Sequence, residues 1–225
     1  MDSPSKSRLC YTALMHIAEL ESAKMELRKT AKAILKAMDG ESRERLSQRI
    51  VNNLMTLPEY GTADIVLAFL SMREEVQTAS LIDQGHKEGK VVAVPRMGFS
   101  AEKGDFLEFV PLPADFGAWP LDRFGIPEPP RDAQMLSMEE LGRFRVVVAV
   151  PGLAFDGRGG RMGRGKGYYD RFLAMARATA AQCGGLLTAC GLCFESQIVE
   201  VVPMDPWDRR VDYLATETGL RKFDK

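Results

Sequence analysis

One stretch of this 225-residue chain gathers side chains that can hold a phosphate: Pro151-Gly152-Leu153-Ala154-Phe155-Asp156-Gly157-Arg158-Gly159-Gly160-Arg161-Met162-Gly163-Arg164-Gly165-Lys166-Gly167-Tyr168-Tyr169-Asp170. Six of the chain's 20 glycines lie between positions 157 and 167. Residues 158 to 171 hold five basic side chains against one acid, a local charge of +4. Glycine lets a backbone approach an anion closely, and Arg and Lys supply the charge. An apolar run, Val146 to Val150, precedes the stretch and a helical pattern begins at Tyr168. The loop is therefore expected at a strand-to-helix junction, where amide groups and the helix dipole favour anions. Gly160-(x)4-Gly165-Lys166 matches the opening of the phosphate-loop pattern, but Gly167 stands where Ser or Thr would hold magnesium. Gly163-x-Gly165-x-Gly167 misses the dinucleotide spacing. The alternative is a solvated Gly/Arg loop without a ligand, although so many glycines and cations are costly to order for no partner.

Other reactive residues give less. Cys190-Gly191-Leu192-Cys193 is a C-x-x-C, but it falls in a strand pattern where positions i and i+3 point to opposite faces. The pair reads as core thiols. With only His16 and His86 in the chain and no G-x-S-x-G, neither a zinc site nor a Ser-His-Asp hydrolase is indicated. The sparse cysteines at 10, 183, 190 and 193 suit a reducing compartment. Thirty Lys and Arg against 31 Asp and Glu give a net charge of −1, which argues against a nucleic-acid or membrane coat.

The elements that must position the loop follow from periodicity. Leu27, Ala31, Ile34, Leu35 and Met38 recur at helix spacing, with Lys24, Arg28, Lys29, Lys32 and Lys36 between them. Asp39-Gly40 ends that helix, and a second spans about Glu41 to Leu57. Ile65 to Leu70, Val91 to Val94, Val146 to Val150, Leu186 to Phe194 and Val211 to Thr216 read as strands, with a further one at Phe106 to Val110. Helices are expected near Thr78 to His86 and Tyr168 to Ala181. Continuous apolar strands alternating with helices predict an α/β fold, a three-layer α/β/α sandwich around a mostly parallel central sheet. One domain, 1–225, is expected, with residues 1–21 as an N-terminal extension. No apolar run approaches the roughly 20 residues that span a bilayer.

The central string closely resembles the signature of the 5-formyltetrahydrofolate cyclo-ligase family, also called methenyltetrahydrofolate synthetases. Weaker stretches agree in order: Lys24 to Arg28, Phe69 to Thr78, Pro95-Arg96, Gly125 to Pro129, Gly191 to Gln197, and Asp208 to Asp212. The resemblance spans about residues 22 to 217. It implies conversion of 5-formyltetrahydrofolate to 5,10-methenyltetrahydrofolate, with ATP as co-substrate and Mg2+ as cofactor, releasing ADP and phosphate. By resemblance, Lys166, Arg161 and Arg164 carry the chemistry. Lys24, Arg28 and the run Arg161, Met162, Gly163, Arg164, Gly165, Lys166, Gly167, Tyr168 and Tyr169 bind ATP. The folate meets Leu70, Glu75, Phe124 and Arg164 to Tyr168. Asp170 and Asp208 hold the metal.

Taken without the family, Lys24 and Arg28 read as a solvated helix face, Glu75 as an exposed acid at a helix start, and Asp170 as an ordinary first-turn acid. The tyrosines are as readily core as pocket wall. Met162 stands where Leu is common, a volume-conserving exchange. The expected partners are ATP and 5-formyltetrahydrofolate, with or without a polyglutamate tail, and neither nucleic acid nor membrane. A cytoplasmic monomer is expected, with a mitochondrial address the alternative. Two other functions stay open: a non-catalytic folate or nucleotide binder that kept the fold, and another phosphoryl or sugar-phosphate enzyme on a related fold.

Overall fold

The structure, a computed structural model, describes residues 4–100, 104–113, 115–122 and 125–223, with side chains from residue 18 onward except that of Ser100. Two helices open the chain, α1 (Pro4–Ala37) and α2 (Gly40–Met55). Asp39 separates them and caps α2, its carboxylate accepting from the Ser42 amide at 2.8 Å. A short α3 (Pro58–Gly61) leads to β1 (Ile65–Leu67), α4 (Ala79–Lys87), β2 (Val91–Ser100) and β3 (Gly104–Pro111). Next come α5 (Met138–Arg143), β4 (Arg145–Val150), β5 (Ala154–Asp156), β6 (Arg161–Met162), α6 (Tyr168–Cys183) and β7 (Leu186–Leu192). The chain closes with β8 (Ile198–Val199), β9 (Tyr213–Thr216) and β10 (Gly219–Lys222).

Seven strands form the main sheet in the order β10-β9-β7-β4-β1-β2-β3. The five inner strands run parallel, and β3 and β10 close the two edges antiparallel. Alternate residues of each inner strand face opposite layers. Val66, Val147, Ala149 and Cys190 pack with Ala31 and Leu35 of α1, Ile50 and Leu54 of α2, and Leu81 of α4. Ile65, Val146, Val148 and Ala189 pack with Leu141 of α5 and Phe172, Leu173 and Ala176 of α6. Burial on both faces is why these strands read as unbroken apolar runs. The three-layer α/β/α sandwich stands as expected.

Some expectations need revision. Ile34, expected in the core stripe of α1, is partly exposed, whereas Ala31 and Leu35 are buried. β1 ends at Leu67, so Leu70 lies past the strand. β2 does not stop before Pro95 but runs to Ser100. β1 pairs with β2 only as far as Ala93, so from Val94 onward that flank has no strand to serve and a proline costs no ladder bond there. Between β4 and α6 the chain does not pass straight from strand to helix. It first makes a small three-stranded sheet, β6-β5-β8. Among the described residues no helix is long and apolar enough to cross a membrane.

The connectivity fixes where a ligand can sit. From β1 the chain moves by α4 to β2 on one side, and from β4 it moves by α6 to β7 on the other. The order reverses between β1 and β4. The loops leaving their carboxyl ends part there and open a crevice.

Candidate active site

That crevice is a cleft of about 1170 Å3. Its walls are α1, the loop after β1, the β2–β3 hairpin, the glycine-rich loop, the start of α6 and the turn at 205–209. Lys24, Arg28, Glu75, Arg161, Asp170, Asp208 and every residue from Met162 to Tyr169 line it.

The glycine-rich loop is held from behind. Asp156, at the end of β5, accepts from the amides of Arg158 and Gly160 through one oxygen and from that of Val202 through the other. Gln197 donates to the carbonyls of Gly152 and Leu153, tying the loop after β4 to the segment before β8. Gly165 adopts φ +101°, a conformation side chains rarely adopt, so the loop's path requires glycine there.

Three cations of the cleft, Lys24, Arg161 and Arg164, are paired with carboxylates. Arg161 is almost wholly buried, donating to Asp170 Oδ2 at 2.8 Å and to the Pro151 carbonyl at 3.3 Å. Its guanidinium lies 5.7 Å from the centre of the Tyr169 ring. The Tyr169 hydroxyl is buried with no hydrogen-bond partner among the described residues, and burial, reinforced by the charge of Glu75, pushes its pKa up. Arg164 reaches across the cleft to Glu75 Oε1 at 2.9 Å, while Glu75 Oε2 accepts from the Met72 amide at 3.1 Å. Lys166 is exposed on the loop. From α1, Arg28 Nε donates to the Gly163 carbonyl at 3.2 Å.

Lys24 is only 7% exposed, so the reading of a solvated face fails for it. Its ammonium donates to Asp205 at 2.6 Å and to Asp208 at 2.5 Å. Burial works against the charge, but hydrogen bonds to the two carboxylates outweigh it and hold the Lys24 pKa above its usual value. Helix α1 and the turn at 205–208 are thus joined at the cleft.

The 5-formyltetrahydrofolate cyclo-ligase family model matches residues 20–217. This chain belongs to that family. The mouse 5-formyltetrahydrofolate cyclo-ligase is 30% identical over 203 residues, covering 90% of this chain and 98% of the mouse protein. The protein of that name from Escherichia coli strain K12 is 32% identical over 174 residues, covering 77% of this chain and 88% of its own. Among solved structures, the 5,10-methenyltetrahydrofolate synthetase of Aquifex aeolicus superposes with a TM-score of 0.70 at 31% identity, covering 90% of this chain and 93% of that one.

Of the residues that the cyclo-ligase resemblance offered for the folate, Leu70 is not brought into the cleft. Leu70 is half-buried against the core that packs with α1 and α2. Phe124 lies outside the described residues. The tyrosines divide. Tyr168 stands at the cleft with Arg171 5.3 Å from its ring centre, and Tyr169 is the more deeply set of the two. Sequence reasoning passed over Asp205, Met25, Trp207, Met97 and Leu107, all of which line the cleft. Asp205 and Asp208 do have a legible signal. They flank a Pro-Trp pair at turn spacing, and the Asp208 amide bonds the Asp205 carbonyl at 3.1 Å. The C-x-x-C reading holds, since Cys190 and Cys193 are buried in the cores on opposite faces of the sheet.

Proposed function

We propose that this chain converts 5-formyltetrahydrofolate to 5,10-methenyltetrahydrofolate with consumption of ATP. The observation that carries the reading is the junction of the glycine–arginine loop, two basic residues of α1 and Glu75 in one crevice at the strand-order reversal. The formyl oxygen on N5 is a poor leaving group. Transfer of the ATP γ-phosphoryl to that oxygen releases ADP and makes the carbon electrophilic. N10 then attacks it, losing its proton, and phosphate departs with the C–O bond as the ring closes.

Such a reaction needs positioned charge more than covalent help. Arg161, fixed by Asp170, is a pre-set cation on the cleft floor, and Arg164 and the exposed Lys166 can follow the phosphoryl group as it moves. Lys24 and Arg28 reach the nucleotide from α1. The loop backbone from Met162 to Tyr169 lies along its phosphates. Glu75, a largely covered carboxylate with one oxygen fixed by the Met72 amide, suits the N–H edge of a pterin, with Tyr168 in the same cleft.

The donor set fits Mg2+. Asp170 and Asp208 are hard oxygen donors in the cleft, and no thiol or imidazole lines it among the described residues. No group of three or more metal-ligating side chains occurs among the described residues either, which suits an ion held mostly by phosphates and water. Asp170 and Asp208 would hold it, and it would neutralise phosphate charge. A cytoplasmic setting accords with Cys183, Cys190 and Cys193 being free thiols.

The test is turnover. Protein supplied with magnesium, ATP and 5-formyltetrahydrofolate is expected to form the methenyl compound, followed by its absorbance, with one ADP per product. ADP release without that absorbance would remove the folate and leave the nucleotide site. Lys166→Ala is expected to suppress turnover far more than folate binding; equal loss of both would refute the role given to Lys166.

A further inference from the structure

The cleft rim carries two large apolar side chains turned to solvent. Trp207 is 66% exposed and Met25 is 67% exposed. Both line the cleft. They are the chain neighbours of Asp208 and Lys24, whose side chains touch at 2.5 Å, so they stand on either side of one ion pair. The indole is presented on a stiff mount. Pro206 and Trp207 occupy the middle of a turn closed by the Asp208 amide on the Asp205 carbonyl. Asp208 Oδ2 also accepts from the Asp205 amide at 2.8 Å, and the Lys24 ammonium binds both carboxylates. On the far side, the Arg209 amide donates to Asp170 Oδ1 at 3.0 Å and the Arg209 guanidinium to the Pro206 carbonyl at 3.1 Å. The backbone that carries this exposed indole is thus fixed beside the cleft, and an uncovered aromatic face at that place is suited to a flat ligand.

We propose that Trp207 is the stacking platform for the base of the bound nucleotide. This rests on the function proposed above and adds to it a specificity-determining residue. The occupant follows from what the turn touches. Lys24, Asp208 and Asp170, the groups suited to a polyphosphate and its metal, are in direct contact with the turn that bears Trp207. Glu75, the carboxylate suited to the pterin, bonds instead to Arg164 and the Met72 amide on another wall. A nucleotide with its phosphates at Lys24 and Arg161 has its base at the rim. There a flat indole face can cover the base. Every base has a π face, so stacking gives affinity with modest preference among bases.

Calorimetry with magnesium-ATP and with inorganic tripolyphosphate, which has the charge but no base, separates stacking from charge. Trp207→Ala is expected to weaken ATP about ten-fold or more, as loss of one base–aromatic stack would. Tripolyphosphate should be unaffected, and Trp207→Phe should regain most of the loss. In a Trp119→Phe protein, Trp207 is the sole tryptophan. Its emission should change on ATP binding and not on tripolyphosphate binding. Equal weakening of ATP and tripolyphosphate would overturn the proposal, as would ATP binding with unaltered Trp207 emission. So would weakening of 5-formyltetrahydrofolate alone, which would give the indole to the folate. Absence of any ATP binding would overturn both this inference and the nucleotide half of the proposed function.

Discussion

Asp156 is the residue on which the glycine-rich loop hangs, and its removal should be measurable in free energy. The side chain is 2% exposed at the end of β5. Oδ1 accepts from the amides of Arg158 and Gly160, both at 2.8 Å, and Oδ2 from that of Val202 at 2.9 Å. The Gly160 and Val202 bonds are buried and the Arg158 bond is partly so. Asp156→Ala strips the acceptor from all three. A buried donor left unsatisfied costs about 1–3 kcal/mol, so the two buried amides alone give roughly 2–6 kcal/mol. That is a large share of the ~5–15 kcal/mol that holds a typical domain folded. Asp156→Asn separates the two oxygens. Its remaining carbonyl can keep both Oδ1 bonds, while its NH2 group faces the Val202 amide, donor against donor. It should therefore cost about half as much as Ala. Urea unfolding followed by circular dichroism gives both numbers, and amide exchange at Gly160 and Val202 should speed up in step. An alanine variant within about 1 kcal/mol of the parent would refute the reasoning, as would an asparagine variant as unstable as alanine.

Lys24 has a pKa raised above 10.5 by its two aspartates, so its stabilising pair is complete below about pH 10.5 and is lost as pH climbs through the folded value. Urea midpoints measured against pH should fall more steeply at the alkaline end for the parent than for Lys24→Met, and parallel curves would refute the assignment. Burial pushes the thiols of Cys190 and Cys193 up, whereas Cys183 is exposed. Brief treatment of the native protein with iodoacetamide should therefore label Cys183 and spare the 190–193 peptide until urea is added. Mass spectrometry showing equal labelling at native pH would contradict the buried placement.

The parts that were legible in the sequence are those whose burial is uniform along the chain. β1, β4 and β7 lie between two helical layers, so their side chains are apolar on both faces and the pattern is unbroken. The small sheet β6-β5-β8 was not legible, because strands of two or three residues carry no period. What holds them is distant: Asp156 bonds an amide 46 residues away, and Gln197 bonds carbonyls 44 and 45 residues away. The same distance hid Lys24. Spacing placed it on a polar helix face, and only a turn some 180 residues later buries it. Leu70 erred in the other direction, since an apolar run reads as strand to its last residue while pairing ends at Leu67. The glycine–arginine loop was legible as chemistry because its composition is improbable as mere connection, but Glu75, which pairs with its Arg164, and Asp205 and Trp207, which line the same cleft, come to it only in space.

The ion pairs of the cleft bear on how the site responds to ionic strength. Among the described residues that line it, seven are basic and five acidic, for a net charge of +2. A site made of bare cations would hold a cloud of counter-anions, and binding a polyphosphate would release them, giving a steep fall in affinity with salt. Here Asp170, Asp205, Asp208 and Glu75 already occupy that place, tethered to the chain and unable to diffuse away. At Lys24, Arg161 and Arg164 an arriving phosphate exchanges with a resident carboxylate instead of with dissolved ions. The cleft therefore carries its own counterions, and its hold on anions is set by the protein more than by the surrounding salt.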